Sequence, residues 1–322
     1  MYVMNVWKLR ASMVGTLAIM ISLSTLVFTV ILTFFSTFSL VTLGIFVVGF
    51  NILQWLISPY LIDAIYHTRE LRVDENPKLH EAVEELSKKS GIKKPRLMLA
   101  QIPIPNAFAY GSPIAGNRVA VTDGILKTLN PGEVEAVVGH ELGHLRHKDV
   151  QVMMFASLLP GLFYYIGYSL MLSGAFGRQK DQGGSGALVG IAFMAFSWIL
   201  TMFTLYLSRL REYYADRHGA SIVDEGSQKL STGLAKIVQA TKNMGKFKKQ
   251  KQSLFAFKAL FIADPDRAEV DSAAISAMTG SGGQKLVQDI LSKKLTTTDR
   301  IMEIFSTHPN IIKRLKTLQE LA

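Results

Sequence analysis

Four long uncharged segments set the hydrophobic pattern of the chain. They cover residues 13–34, 38–58, 151–173 and 186–207, and each has about the 20 residues that an apolar helix needs to cross a bilayer. Only a short uncharged turn separates the first two, so we expect an antiparallel hairpin that anchors the chain. Their apolar run is too long for the core of a cleaved signal peptide.

The third and fourth segments predict a second hairpin, joined by a Gly/Ser-rich polar linker at 178–185. Pro160-Gly161 would kink the third segment, which membrane helices tolerate. The Gly and Ser content of the fourth also fits a helical hairpin buried in a soluble core, so both interpretations stay open. Either way, the chain enters and leaves this pair on the same side.

The polar region between the two hairpins predicts one helix and a small sheet. Asn76-Pro77 begins a helix that Gly91 ends. Residues 96–102 and 118–122 have the composition of short strands. The extended segment 105–111 between them is either an ordinary connector or an exposed strand edge that pairs with an extended peptide.

A second predicted helix starts at Asn130 and carries the most specific motif of the chain. Asn130 is a favoured N-cap, Pro131 fits the first helical position, and Glu133 completes a capping box. The apolar run that follows leads into His140-Glu141-Leu142-Gly143-His144. With 7 His in 322 residues, this H-E-x-x-H pattern has only about a 1% chance of arising at random.

The spacing of the motif defines its chemistry. His140 and His144 lie one helical turn apart, so both imidazoles can reach one metal ion. Glu141 points to the side of that pair, where the helix of a zincin keeps its general base. The alternative is an amphipathic helix with two ordinary histidines.

Two histidines do not complete a catalytic zinc site, which takes three protein ligands and a water. Glu212 and Asp216 lie four residues apart on the continuation of the fourth apolar segment. They could be a solvated pair that balances nearby arginines. The second hairpin returns the chain close to the motif helix, however, and this geometry favours Glu212 as the third ligand.

Composition narrows the class of protein. A mean hydropathy of +0.24 and 49% hydrophobic residues point to membrane segments. The net charge of +10 could serve nucleic acid, but we find no nucleic-acid motif and attribute it to the positive-inside bias. Basic residues flank both ends of the first hairpin, so we expect both ends in the cytoplasm. The chain lacks cysteine, so any metal ligand is His, Glu or Asp.

The last hundred residues predict soluble helices with few motifs. A basic run and a loop at 279–283 have the composition of solvated surface, although the lysines could also touch anionic lipid. His308-Pro309 precedes a basic helix and is weak evidence by itself. The lysines of the basic run are Lys242, Lys246, Lys248, Lys249 and Lys251.

Together these patterns predict a mainly α-helical integral membrane protein. It has about four transmembrane helices and a cytoplasmic, gluzincin-like zincin domain carrying a small β-sheet. The expected divisions are a transmembrane hairpin, a first part of the zincin domain with the motif helix, a second apolar hairpin, and a second part with the third ligand. Their boundaries are 1–60, 61–150, 151–207 and 208–322.

The sequence resembles the HtpX-type membrane zinc metalloproteases, relatives of the CAAX prenyl protease. The likeness covers nearly the whole chain, and its specific part is HELGH together with Glu212-Tyr213-Tyr214-Ala215-Asp216. It implies one Zn²⁺ per chain, bound by His140, His144 and Glu212, with Asp216 holding a ligand imidazole. Further residues that the resemblance implicates are Asn106, Ala107 and Phe108 at a substrate-binding edge, and His308 and Arg314 beside a developing oxyanion.

The expected activity is peptide-bond hydrolysis with Glu141 as base, at the cytoplasmic surface of the plasma membrane. The resemblance also implies polypeptide partners, above all misfolded membrane proteins, beside the lipid bilayer. Two rival classes are a binding protein or chaperone with structural zinc, and a transporter. A structural site is usually closed by four ligands, and a transporter would place ionisable residues inside its spans.

Overall fold

The structure is a computed structural model that describes residues 40–176, 183–245 and 283–322. The predicted span 13–34, the basic run from Lys246 onward and nearly all of the 279–283 loop lie outside these residues. The helices are α1 (Leu40–Tyr66), α2 (Pro77–Ser90), α3 (Asp123–Thr128), α4 (Pro131–Arg146), α5 (Asp149–Phe176), α6 (Gly183–Ile222), α7 (Gly226–Gly245), α8 (Gly283–Leu291), α9 (Thr297–Ile304) and α10 (Ile311–Glu320). The strands are β1 (Thr68–Glu70), β2 (Arg96–Ala100), β3 (Ala107–Ser112) and β4 (Gly116–Thr122).

The four strands form one mixed sheet in the order β1-β2-β4-β3. β2 and β4 are parallel, whereas β1 and β3 run antiparallel to their neighbours. The two predicted strands are confirmed, although β2 ends at Ala100 and β4 begins earlier, at Gly116. Segment 105–111 forms most of β3, an edge strand, which makes the ordinary-connector interpretation wrong.

Two apolar clusters hold the sheet between its helices. The larger one packs the sheet against α2, α4, α7 and α10, with Val137 of α4 and Leu230 and Leu234 of α7 fully buried in it. The smaller cluster covers the other face, where the end of α1 contributes Tyr66. The motif helix α4 therefore lies inside the protein, and its histidines have a rigid support.

Three described helices are long and apolar enough to cross a membrane, at Gly44–Tyr66, Asp149–Leu172 and Gly186–Ile222. Large apolar side chains on them face outward, and Leu188 and Phe203 are 69% and 66% exposed. Such exposure is unusual for a hairpin buried in a soluble core, where these side chains would be covered. The described part of the chain thus contains three of the four predicted spans.

Helix α1 continues to Tyr66, past the predicted end of its span at residue 58. The extension carries Asp63, whose carboxylate accepts hydrogen bonds from the hydroxyl of Tyr110 (2.6 Å) and from the guanidinium of Arg118. These partners on β3 and β4 satisfy the charge of Asp63. The helix therefore remains ordered beyond its apolar part and joins the sheet.

Helices α4 and α6 meet through glycines. A Cβ added at Gly219 of α6 would lie 2.7 Å from the backbone nitrogen of His140, and one at Gly143 of α4 would lie 3.0 Å from the Cα of Ala215. Only residues without a side chain fit such contacts. This close approach brings the α6 residues near Glu212 level with the two histidines.

We expect Gly219→Ala to separate these helices and to cost about 1–3 kcal/mol of stability, because its Cβ would meet backbone and not a flexible side chain. Zinc content should fall with it. Gly161→Ala is the matched control, since a Cβ at that helical glycine meets nothing within 4 Å. Thermal melts and elemental analysis of both variants test the prediction, and equal melting temperatures would contradict it.

Candidate metal centre

The two histidines of the motif lie on a helix whose start is fixed by its own sequence. The side chain of Asn130 accepts from the backbone N–H of Glu133, and the Glu133 carboxylate accepts from the backbone N–H of Asn130. The predicted capping box of α4 is therefore confirmed. One turn apart, His140 and His144 place their Nε2 atoms 3.1 Å from each other.

Glu212 of α6 reaches the same point. Its Oε1 lies 3.5 Å from Nε2 of His144, and its Oε2 lies 3.9 Å from Nε2 of His140. Donor atoms of the three side chains all lie within 4.8 Å of one another. Tetrahedral zinc with bonds near 2.0–2.1 Å separates its ligand atoms by about 3.3 Å. The spacing of His140, His144 and Glu212 is thus compatible with a metal site.

Burial supports the same interpretation. Oε2 of Glu212 is buried and accepts no hydrogen bond from the described residues, although Nη1 of Arg314 lies 3.0 Å away. Arg314 compensates the charge of this buried oxygen, and the missing hydrogen bond leaves a lone pair of Oε2 free for a metal ion. The chemistry of this donor set, two imidazoles and a carboxylate, is the one that zinc accepts.

A carboxylate lies close to the Nδ1 atom of each imidazole. Nδ1 of His140 lies 2.9 Å from Oδ1 of Asp216, where the sequence placed such a partner. Nδ1 of His144 lies 2.7 Å from Oδ2 of Asp149. A carboxylate on Nδ1 orients the ring and leaves Nε2 facing the metal position. His144 is held by this hydrogen bond, whereas the contact of His140 with Asp216 is a close approach without hydrogen-bond alignment.

Asp149 was missed by the sequence analysis. It opens α5 and is only 7% exposed, and Arg211, the residue before Glu212, donates a hydrogen bond to its other oxygen. The available signal was an acidic residue shortly after the motif, at the start of an apolar helix. The position of Asp149 therefore links His144, a candidate metal ligand, to the ends of α5 and α6.

Glu141 lies beside the histidines with its side chain buried. Its Oε2 accepts a hydrogen bond from the backbone N–H of Ala109 on β3 (2.8 Å). Burial raises the pKa of Glu141 above its ordinary value, although neighbouring His144 and His140 oppose that rise. A carboxylate with a raised pKa accepts a proton more readily near neutral pH.

His308 and Arg314 approach the centre from the C-terminal region. Nδ1 of His308 lies 3.2 Å from Oε1 of Glu212, and both of its buried ring nitrogens lack a hydrogen bond from the described residues. Arg314 is 2% exposed and donates to both oxygens of Asp216, from Nε (2.8 Å) and Nη2 (2.6 Å). Arg314 thus contacts carboxylates and not an open cleft.

The predicted substrate edge is more buried than expected. Asn106 is 0% exposed, and Ala107 and Phe108 of β3 are also buried. The Phe108 ring packs 5.1 Å from that of Tyr66. Ala109 is the one residue of β3 that is partly exposed, because α1 and α4 pack against the strand. An incoming peptide could meet this edge through its backbone but not through these three side chains.

Comparison with known proteins identifies the family to which this chain belongs. Residues 74–322 match the model of peptidase family M48, and the chain belongs to that family. It is 38% identical over 287 residues to a protease HtpX homolog of Thermoplasma acidophilum, covering 88% of this chain and 85% of the relative. Protease HtpX homolog 2 of Sulfurisphaera tokodaii is 36% identical, with 98% of each chain covered.

A solved structure shares the fold. The crystal structure of S. mikatae Ste24p matches with a TM-score of 0.56 over 98% of this chain and 67% of that one. Sequence identity is only 18%, so this likeness concerns the fold alone.

Asp149→Asn should weaken zinc binding about 10–100-fold, as loss of a carboxylate behind a ligand imidazole does. Burial opposes charge on His144, but Asp149 and nearby glutamates outweigh it and raise its pKa to about 9. Zinc must displace that proton, so wild-type affinity should rise with pH until about 9. Removing the Asp149 charge lowers the pKa of His144, so the zinc affinity of the variant should increase less between neutral pH and pH 9 than that of the wild type.

A zinc-competition titration between pH 6.5 and 9 measures both effects, the range being set by the His144 pKa of about 9. Asp224→Asn is the control, because Asp224 is exposed. If Asp149→Asn matched wild type in both affinity and pH dependence, Asp149 would have no part in the site.

Proposed function

We propose that the protein is a membrane-embedded zinc endopeptidase that cleaves polypeptides at the cytoplasmic surface of the membrane. One observation carries the proposal: the side chains of His140, His144 and Glu212 converge directly beside the buried carboxylate of Glu141. Three metal ligands leave room for a water, and an adjacent carboxylate can take its proton. A structural zinc site needs neither.

Zinc held by His140, His144 and Glu212 would lower the pKa of a bound water to about 7 and polarise the scissile carbonyl. The Ala109 N–H holds Oε2 of Glu141, which would leave Oε1 to take a proton from the attacking water. Glu141 accepts that proton and later delivers it to the leaving amine. Burial raises the pKa of Glu141, which strengthens it as a base for the first of these transfers.

We assign His308 to the negative charge that develops on the carbonyl oxygen. Its ring nitrogens lie close to Glu212 and make no hydrogen bond with the described residues, and a preorganised donor of this kind would stabilise a tetrahedral intermediate. For Arg314 we propose a positioning role. Its three nitrogens engage Asp216 and Glu212, so it fixes ligands and does not touch the substrate.

The polypeptide would enter as an extended strand against the outer edge of β3. Ala109 is the accessible position; because its N–H already donates to Glu141, a peptide paired there through the Ala109 carbonyl would have a peptide bond next to Glu141. Asn106, Ala107 and Phe108 would shape this edge from within the sheet. Main-chain hydrogen bonds depend little on the side chains of the substrate, and such weak sequence selectivity suits an enzyme that acts on unfolded segments.

The geometry of α5 and α6 supports the proposed location. The hydrogen bond between Asp149 and Arg211 joins the polar ends of these two apolar helices, immediately beside the metal ligands. The centre would therefore sit at the membrane surface, on the cytoplasmic side predicted by the basic flanks of the chain. Misfolded membrane proteins in the plasma membrane are the substrates we propose, consistent with the protease relatives.

Metal removal tests this function directly. The purified full-length protein, reconstituted in liposomes, should cleave an unfolded polypeptide such as casein, and a chelator should stop cleavage. One equivalent of zinc per chain should restore it. A chain that binds zinc but cleaves no polypeptide in any lipid would favour a structural zinc site and contradict the proposal.

A further inference from the structure

A cavity of about 320 Å³ opens next to the metal centre, on the side of His144. Its walls include Gly111 at the end of β3, Asn117 on β4 and the turn between α4 and α5. The cavity therefore lies between the strand that would pair with a peptide and one of the metal ligands. No residue of α9 or α10 lines it.

Three cations surround this cavity: Lys93, Arg146 and Lys148, which with His144 and Gly111 we call the basic cleft. All three are exposed, and none makes an ion pair with any residue that the structure describes. The residues that line the cavity include no Asp or Glu. Most other surface lysines of this part of the protein are different, because Lys88, Lys89 and Lys94 are each paired with a glutamate of α2.

The backbone of Lys148 adds a second observation. Its φ is 56°, in the left-handed region where Gly and Asn are favoured. A lysine there costs of order 1 kcal/mol, as His67 and Glu225 do at other helix ends of the described residues. This turn from α4 to α5 places the Lys148 side chain at the mouth of the cleft.

We propose that the basic cleft binds an acidic side chain of the polypeptide substrate. An extended peptide paired with β3 would pass from Ala109 toward Gly111, two residues further along the strand. Two residues of a strand span about 6.6 Å. The residue that enters the cleft would therefore lie one or two positions from the scissile bond. This inference rests on the proposed endopeptidase function and names a substrate preference for it.

Glutamate scanning of a substrate tests the preference. Full-length, zinc-loaded protein in neutral phosphatidylcholine vesicles would be given quenched fluorescent peptides that carry Glu or the isosteric Gln at each position in turn. At one position near the cleavage point the Glu peptide should have a kcat/KM about tenfold higher, since a charge pair near 4 Å at a wet surface gains on that order. The ratio should shrink at high salt.

Variants identify the cleft as the cause. Lys93→Glu should invert the preference, so that a Lys peptide outpaces the Glu peptide at that position. Lys148→Asn should lower the Glu/Gln ratio while leaving the melting temperature equal or higher, an outcome that a merely structural lysine would not give. Lys127→Gln, an exposed lysine on α3, is the control and should keep the full ratio.

The outcomes separate the inference from the function on which it rests. Cleavage of Glu and Gln peptides at equal rates everywhere, or a preference that Lys93→Glu leaves intact, would overturn the basic cleft alone. Failure to cleave any peptide would overturn the proposed function and the cleft with it. A third outcome would assign the cleft to lipid headgroups and refute our inference. In that case the wild-type protein would cleave the Glu and Gln peptides at equal rates, and added phosphatidylglycerol would raise both rates. The same lipid would have no effect on the Lys93→Glu variant.

Discussion

Glu141→Gln should retain wild-type zinc content and lose about 10²–10⁴-fold in the rate of polypeptide cleavage, the range that general acid–base catalysis contributes. Glutamine keeps the shape of the side chain and an acceptor for the Ala109 N–H, so the packing of β3 on α4 should persist. It cannot accept the proton of the attacking water. The loss should therefore appear in kcat with little change in KM.

This experiment has two controls: a second variant on the same helix, and a zinc measurement on the same protein samples. Glu135→Gln changes a glutamate of α4 that lies outside the metal centre, and its rate should stay near wild type. Elemental analysis establishes that both variants carry zinc. A Glu141→Gln protein that turns over casein at the normal rate would remove Glu141 from the role of base.

Glu212→Gln should have the second large effect, on the metal itself. A neutral amide oxygen is a poor zinc ligand beside two imidazoles, so we expect affinity to fall by more than the roughly 100-fold upper range for residues that only orient ligands. The substitution also leaves Arg314 and His308 facing a neutral group at a buried position. Removing one member of a buried ion pair is destabilising because the other charge stays buried without compensation. The metal-free Glu212→Gln variant should therefore melt at a lower temperature than the metal-free wild type.

Zinc stoichiometry and a competition titration measure the first effect, and a thermal melt without metal measures the second. Glu320→Gln, at an exposed position near the C-terminus, is the control for both. Unchanged zinc content in Glu212→Gln would exclude Glu212 as a ligand, and the mechanism proposed for the protein would fail with it.

Local signals in the sequence were sufficient to predict the motif helix α4 and the residue at which it begins. Its N-cap, capping box and one-turn spacing depend on residues within four positions of one another, and α4 forms as they predict. The same reasoning found α2, from Pro77 to its left-handed C-cap Gly91. Short-range hydrogen bonds that hold in any fold explain both successes.

Features that depend on tertiary contacts could not be predicted in this way. Asp149 acts on His144 only because α5 leaves α4 through a tight turn, and no spacing rule ties the two residues together. The polar end of α1 remains helical because Asp63 meets Arg118 on a distant strand. For segment 105–111 the sequence left a connector and an exposed strand edge equally open; it forms the edge strand β3, but helices cover it and leave only Ala109 partly exposed.

Helix α6 runs unbroken through 40 residues, from its apolar half to beyond Glu212. Trp198, 51% exposed among the apolar residues, stands about 21 Å along the axis from Glu212 at 1.5 Å per residue. Because no break in the helix separates Trp198 from Glu212, the two tilt together. A tilt of one degree about Trp198 would displace the Glu212 carboxylate by about 0.4 Å. A change of bilayer thickness that tilts the apolar half of α6 would thereby also move Glu212 relative to His140 and His144.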